Sequence, residues 1–138
     1  MTRFVLDASV TLCWCFENQA TRYTEDIFER MAAEPSVPFI WPLEVANSLL
    51  SVERRKTLNV AQVTGFLEEL SAWSIEVDTL GVGRAFHQVL STARQHHLTA
   101  YDAAYLELAI REGLSLTTLD ADLRRAARLV GVKIAAAK

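Results

Sequence analysis

Short apolar runs alternate with helical segments along this chain of 138 residues, and no other feature of the sequence constrains the fold as much. Phe4-Val5-Leu6 has the length and composition of a strand buried on both faces, and it stops on Asp7. Further strands are predicted at 37–41, 74–77 and 114–119, with a weak fifth strand at 131–134. Strands separated by helices predict an α/β sandwich whose central, mainly parallel sheet is flanked by helices.

Helices are predicted where apolar side chains recur at spacings of three and four residues. The predicted segments are 9–16, 20–33, 43–56, 60–73, 84–96, 100–112 and 120–129. Gly113 follows the sixth segment, at the position where glycine is favoured after a helix. The length fits a single domain over residues 1–138, because one core can be buried by a chain of this size.

Charge and composition exclude several classes of protein. The formal net charge is −3, so bulk basicity does not mark a nucleic-acid binder, although local basic patches can still bind phosphates. The sequence has neither a signal peptide nor an apolar run of membrane-spanning length, which predicts a cytoplasmic protein without a membrane partner. Cys13 and Cys15 project to different faces of a helix, which favours buried thiols. A zinc site with His96-His97 is the alternative, at a spacing unusual for zinc.

Four carboxylates stand at the starts of predicted helices: Asp7, Glu44, Asp102 and Asp120. Each is explained on its own by helix capping or by attraction to the helix dipole. Two of them, Asp7 and Asp120, also follow apolar strands of the same predicted sheet. Groups beyond the carboxyl ends of parallel strands share one crevice, so these acids are expected to lie near one another.

Carboxylates collected in one crevice repel each other unless a cation neutralises them. An all-oxygen ligand set favours Mg²⁺ or Mn²⁺, which bind phosphate oxygens as well, and this predicts a phosphodiester or nucleotide substrate. Ser9, Asn47 and Thr118 are candidates to hold the carboxylates or metal-bound waters, and local turn hydrogen bonds are the alternative for each. Asp122 competes with Asp120 as a ligand.

Four stretches together resemble the PIN-domain ribonucleases, and within them the VapC-type toxins of toxin–antitoxin pairs. They are FVLDAS at 4–9, PLEVANSL at 42–49, LTAYDAAYLELA at 98–109 and LTTLDADL at 116–123, in the order that the family shows. The resemblance implies a PIN fold and endonucleolytic cleavage of RNA that depends on Mg²⁺ or Mn²⁺. The residues matching the family's acidic and hydroxyl positions are Asp7, Glu44, Asp102, Asp120 and Thr118. The resemblance further implies a homodimer and an antitoxin that covers an apolar groove.

Two basic clusters are candidates for contact with the RNA backbone. Arg54, Arg55 and Lys56 close the third predicted helix, and Arg124, Arg125 and Arg128 lie on the last one. Solvated faces with favourable charge near helix ends are the alternative for both clusters.

Competing classes place acids at strand ends in other patterns. A receiver domain needs an acidic pair before its strand-end aspartate, and a haloacid-dehalogenase-like phosphatase needs Asp-x-Asp, whereas this chain has Asp7-Ala8-Ser9. A magnesium-binding module without enzymatic activity and another metal-dependent phosphohydrolase remain as alternatives.

Overall fold

The computed structural model of the protein describes residues 3–135. Four strands form one parallel sheet in the order β3-β2-β1-β4, where β1 is Phe4–Leu6, β2 is Ser36–Val37, β3 is Glu76–Val77 and β4 is Ser115–Thr117. The three residues of β1 are fully buried, as expected for a strand covered on both faces. The predicted α/β class with a parallel central sheet is therefore confirmed.

Seven α-helices flank the sheet within the described residues. They are α1 Ala8–Cys13, α2 Arg22–Phe28, α3 Trp41–Arg54, α4 Val60–Ser71, α5 Leu90–His96, α6 Ala100–Glu112 and α7 Ala121–Leu129. Short 3₁₀ turns occupy Glu17–Gln19, Met31–Ala33 and Gly81–Arg84, and a π-helical turn covers Ala85–Val89. None of the helices between residues 3 and 135 has the length and apolar character needed to cross a membrane.

Helix α6 is the central helix of the fold. It packs against β1 and β4, and its residues from Ala103 to Ala109 are all buried. Thr99 caps its start by accepting a hydrogen bond from the Asp102 N–H, and Gly113 ends it at a φ of 66°, where glycine has no steric penalty. The predicted bounds of this helix agree with the structure because a capping threonine marks its start and a glycine marks its end.

The second predicted strand is wrong over most of its length. The strand ends at Val37, a turn follows at Phe39 and Ile40, and α3 begins at Trp41, so the apolar residues of 37–41 do not form one element. Pro38 lacks the N–H that would continue a sheet ladder, whereas Pro42 fits the first turn of a helix. An apolar run does not by itself separate a buried strand from a buried helix start.

Three further expectations need correction. The segment 131–134 forms only an isolated parallel bridge between Ile134 and Leu116, and not a fifth strand. The helix predicted at 20–33 ends at Phe28 and is followed by a 3₁₀ turn, and the segment 84–96 is α-helical only from Leu90.

Candidate functional site

The site begins where β1 and β4 end side by side. Leu6 pairs with Thr117 in the sheet register, so the next residue of each strand, Asp7 and Thr118, enters the same crevice. The Thr118 hydroxyl donates a hydrogen bond of 2.6 Å to Asp7 Oδ2, and the Ser9 hydroxyl donates another of 2.6 Å to the same oxygen. The parallel sheet thus delivers a carboxylate together with two hydroxyl groups that hold it.

Asp7 is not a side-chain cap, although it stands at the N-cap position of α1. Its side chain makes no capping hydrogen bond, while its backbone carbonyl accepts from the N–H groups of Val10 and Thr11. The side chain is only 5% exposed. Burial raises the pKa of Asp7, and the hydrogen bonds from Ser9 and Thr118 oppose this rise. Helix capping therefore does not explain this carboxylate.

Glu44 reaches the same region from the first turn of α3. Its Oε1 accepts a 2.6 Å hydrogen bond from the hydroxyl of Tyr105, a fully buried residue of α6. Burial raises the pKa of Glu44, the Tyr105 hydrogen bond lowers it, and the charges of Asp7 and Asp102 raise it further. These effects place Glu44 within electrostatic range of two other acids.

Asp102 and Asp120 enter from the starts of α6 and α7. Burial raises the pKa of Asp102 to about 6, and the negative charges of Asp120, Asp7 and Asp122 contribute to this rise. Asp120 Oδ1 caps α7 by accepting a hydrogen bond of 2.8 Å from the N–H of Leu123. Asp120 therefore serves as the predicted cap and also contributes charge to the acidic group.

The four acids lack a compensating cation in the part of the chain that the structure describes. None of the ion pairs among residues 3–135 includes Asp7, Glu44, Asp102 or Asp120. Across the same residues, no three His, Cys, Asp or Glu side chains are arranged to hold a metal ion. The structure thus places Asp7, Glu44 and Asp120 in electrostatic range of Asp102, but residues 3–135 do not form a complete metal centre.

The remaining predicted site residues lie in different surroundings. Asn47 is exposed and shares with Glu44 a cleft of about 330 Å³ that also includes Ile40, Leu43 and Tyr101. Asp122 is exposed and accepts a hydrogen bond of 2.7 Å from Arg125, so a cation already faces it. The neighbouring carboxylate of Asp120 has no such partner among the described ion pairs.

The predicted basic residues also separate into two groups. Arg124 is half-buried and donates a hydrogen bond of 2.7 Å to the Thr118 carbonyl. Its guanidinium carbon lies 4.9 Å from the ring centre of Tyr23. Its guanidinium thus supports the loop that carries Thr118. Arg54, Arg55 and Arg128 are exposed on the surface.

A second charged cluster was not predicted from the sequence. Glu107 and Arg111, one turn apart on α6, pair with each other and with Asp78 and Arg84. Burial alone would raise the pKa of Asp78, but hydrogen bonds from Arg111 and from the Leu80 and Gly81 N–H groups outweigh it and lower this pKa. The spacing of Glu107 and Arg111 signals an i,i+4 pair, whereas their partners come from a distant part of the sequence.

An apolar cleft of about 410 Å³ lies between α1, α2 and α4. Trp14, Phe28 and Trp73 form an edge-to-face row in it, with ring centres 5.2 and 5.6 Å apart. Trp41 instead lies in the core and donates to the Thr11 hydroxyl. Cys13 and Cys15 are free thiols, and Cys13 lines this cleft.

The chain thus has a parallel α/β fold in which four carboxylates gather near the carboxyl ends of the strands. These features define a class of α/β proteins with an acidic site. Comparison with known proteins narrows that class. The sequence pattern of the PIN domain family matches residues 4–129. The chain therefore belongs to the PIN domain family.

Two known proteins illustrate the relationship. Ribonuclease VapC3 from Pyrobaculum aerophilum is 35% identical over 80 residues, which represent 58% of this chain and 61% of VapC3. The chain thus spans less than two thirds of that relative. The crystal structure of PAE2754 from Pyrobaculum aerophilum is similar with a TM-score of 0.68 at 22% identity, covering 91% of this chain and 86% of that one. This second similarity supports the fold alone.

Proposed function

We propose that this protein is a metal-dependent endoribonuclease that hydrolyses RNA phosphodiester bonds, and that it acts as the cytoplasmic toxin of a toxin–antitoxin pair. The observation that carries the proposal is the group of four acids, Asp7, Glu44, Asp102 and Asp120, at one sheet edge without a paired cation. Similarity to Ribonuclease VapC3 supports RNA as the substrate.

The donor set of this site fits Mg²⁺ or Mn²⁺. All four acids offer carboxylate oxygens, which hard divalent cations prefer. The charges of Asp7 and Asp102 raise the pKa of Glu44, and those of Asp120 and Asp7 raise the pKa of Asp102, so a divalent cation would relieve this repulsion. When bound, such an ion supplies an activated water and neutralises charge on the attacked phosphate.

The protein's own side chains contribute orientation. Ser9 and Thr118 fix Asp7 through two hydrogen bonds to one oxygen, and Asp120 is held through its capping bond to Leu123. Fixed carboxylates lose little conformational freedom when a ligand binds, which favours a defined geometry around the phosphate.

Metal titration followed by thermal melting, together with cleavage of a labelled single-stranded RNA, tests the proposal. We expect Mn²⁺ to stabilise the wild type, by about 2.7 kcal/mol at a hundredfold excess over its Kd. Asp7→Asn and Asp102→Asn should lose this stabilisation and reduce cleavage more than about 100-fold, because each removes a ligand. Glu68→Gln, which alters an exposed acid of α4, is the matched control and should behave as the wild type. Undiminished cleavage by either aspartate variant, or cleavage that persists in EDTA, would refute the proposal.

The apolar cleft supports an antitoxin segment as the partner. Its floor carries Trp14, Phe28 and Trp73, while Glu25 and Glu69 line it as well, so an apolar helix with basic flanks would suit it. Coexpression of the toxin with the protein of an adjacent small reading frame should yield a complex, and Trp73→Glu should weaken it.

A homodimer is also part of the proposal. Leu43 and Leu50 are exposed at 67% and 47% and lie seven residues apart, on one face of α3. Light scattering should report twice the monomer mass, and Leu50→Glu should lower it.

The apolar cleft, as a surface for a partner, and the four acids together also fit a second candidate, a magnesium-binding module without enzymatic activity. Such a module would show the stabilisation by Mn²⁺ and would bind its partner, but it would not cleave RNA at any metal concentration.

A further inference from the structure

Tyr105 occupies an unusual place between two of the acids. It lies on α6 one turn after Asp102, and none of its surface is exposed. Its hydroxyl donates a hydrogen bond of 2.6 Å to Glu44 Oε1 and accepts one of 3.3 Å from the N–H of Ala8, the residue that follows Asp7. One hydroxyl group therefore connects α3 to the turn between β1 and α1.

Glu44 needs such a contact to remain in the acidic group. Its side chain has three rotatable bonds and lines an open cleft toward which it could turn. The charges of Asp7 and Asp102 disfavour its ionised form in the observed position. Among the side-chain hydrogen bonds of residues 3–135, Glu44 has one partner, Tyr105, to oppose that repulsion.

The backbone contact makes the Tyr105 hydroxyl directional. A helix start leaves N–H groups without intrahelical partners, and the Ala8 N–H at the start of α1 uses the Tyr105 oxygen as its acceptor. Because that oxygen accepts from Ala8, its own proton is free to point at Glu44. The rigid, buried helix α6 thus fixes both Asp102 and the donor that orients Glu44.

We infer that Tyr105 is a positioning residue, whose hydroxyl holds Glu44 toward Asp7 so that the two carboxylates can share one divalent cation. This inference rests on the proposed function, because it assigns Glu44 and Asp7 to one ion. Tyr105 itself acts only through Glu44 and does not contact substrate.

Removal of the hydroxyl in Tyr105→Phe tests this role. Mn²⁺ affinity measured by calorimetry should fall roughly tenfold, as is usual when a group supporting a ligand is lost. The kcat for RNA cleavage should fall with it, at a nearly unchanged KM, and raised Mn²⁺ should recover part of the kcat. A crystal structure of the metal-free variant should show Glu44 turned away from Ala8. Thr24→Val is the control, since it removes a buried hydroxyl whose hydrogen bonds among residues 3–135 are all to Thr21 at the start of α2. It should keep the wild-type affinity.

A double-mutant cycle separates positioning from a general structural effect. If Tyr105 acts through Glu44, then Glu44→Ala with Tyr105→Phe should bind Mn²⁺ as weakly as Glu44→Ala alone. A further loss in the double variant, or an equal loss in Thr24→Val, would overturn the inference. An unchanged Mn²⁺ affinity in Tyr105→Phe would overturn it as well.

Failure of the proposed function gives a different result. A wild-type protein that neither binds Mn²⁺ nor cleaves RNA would refute the metal-dependent nuclease, and with it the shared cation. A wild type that does both, while Tyr105→Phe matches it, would refute the positioning role alone.

Discussion

The two ends of α6 treat negative charge in opposite ways. Near its C-terminal end, Glu107 is neutralised by Arg84 and Arg111, and Arg111 also pairs with Asp78. Near its N-terminal end, Asp102 lies within range of Asp7 and Asp120, and no described ion pair compensates any of them. Both regions contain partly or fully buried acids, so burial does not distinguish them. The presence or absence of a facing cation does, and it separates a structural cluster from a candidate binding site.

Removing Arg111, a cation that faces the buried acids near the C-terminal end of α6, should have the largest effect on stability. Arg111→Ala leaves Asp78 and Glu107, both less than a tenth exposed, short of a partner. We expect the free energy of unfolding, measured with urea, to fall by about 3 kcal/mol, because an uncompensated buried charge is costly. Arg125→Ala, which removes the exposed pair with Asp122, is the control and should change it by less than about 0.5 kcal/mol. A loss below about 1 kcal/mol in Arg111→Ala would contradict the comparison.

Neutralising Asp102, near the end of α6 that has no facing cation among the described residues, should instead raise the free energy of unfolding. The pKa of Asp102 rises from an ordinary 3.8 to about 6 in the folded protein, so the folded state holds its proton longer than the unfolded state does. Without metal, stability should therefore decrease as the pH rises from about 4 to about 6 and then level off. Asp102→Asn should reduce this decrease, leaving the part that the raised pKa values of Asp7 and Glu44 contribute. It should gain about 1 kcal/mol at pH 7, a modest value because water screens the half-buried carboxyl.

Urea titrations of wild type and Asp102→Asn at several pH values measure this difference. Mn²⁺ should raise the stability of the wild type at pH 7 and leave the variant unchanged. A wild-type stability that increases between pH 4 and pH 6 as much as that of the variant would argue against an uncompensated acid at this position.

The smallest effect is expected at Asp122, which lies at the acidic end but already faces Arg125. Asp122→Asn should change Mn²⁺ affinity less than about threefold, whereas Asp120→Asn should weaken it roughly tenfold or more. Calorimetry on both variants tests whether a facing cation is what removes an acid from the binding set. A larger loss in Asp122→Asn would assign that residue, and not Asp120, to the ion.

The sequence was most informative where topology alone determines position. Asp7 and Thr118 follow strands that neighbour each other in a parallel sheet, so their proximity could be predicted without coordinates. Tyr105 could not be found this way, because its partners lie 61 and 97 residues away and the sequence suggests only a buried aromatic side chain. The available signal was that Tyr105 follows Asp102 by three residues on α6, which places both residues on one face of that helix.

Errors arose where one apolar run spans two elements. The stretch 37–41 contains the end of β2, a turn with the half-buried Phe39 and Ile40, and the start of α3. Hydrophobic periodicity needs a window longer than five residues to separate these states, whereas Pro38 and Pro42 mark the boundary through the donors they lack.

The short edges of the sheet limit how a partner can attach. On one side β3 has only two residues and the chain then turns away at Asp78, which Arg111 holds. On the other side the outer edge of β4 is occupied at Leu116, whose N–H and carbonyl pair with Lys133 and Ala135. Within residues 3–135, neither edge offers a long unpaired ladder on which an extended peptide could grow as an added strand. We therefore expect another polypeptide to recognise this protein by side chains that fit against its helices, with a specificity that follows shape more than backbone pairing.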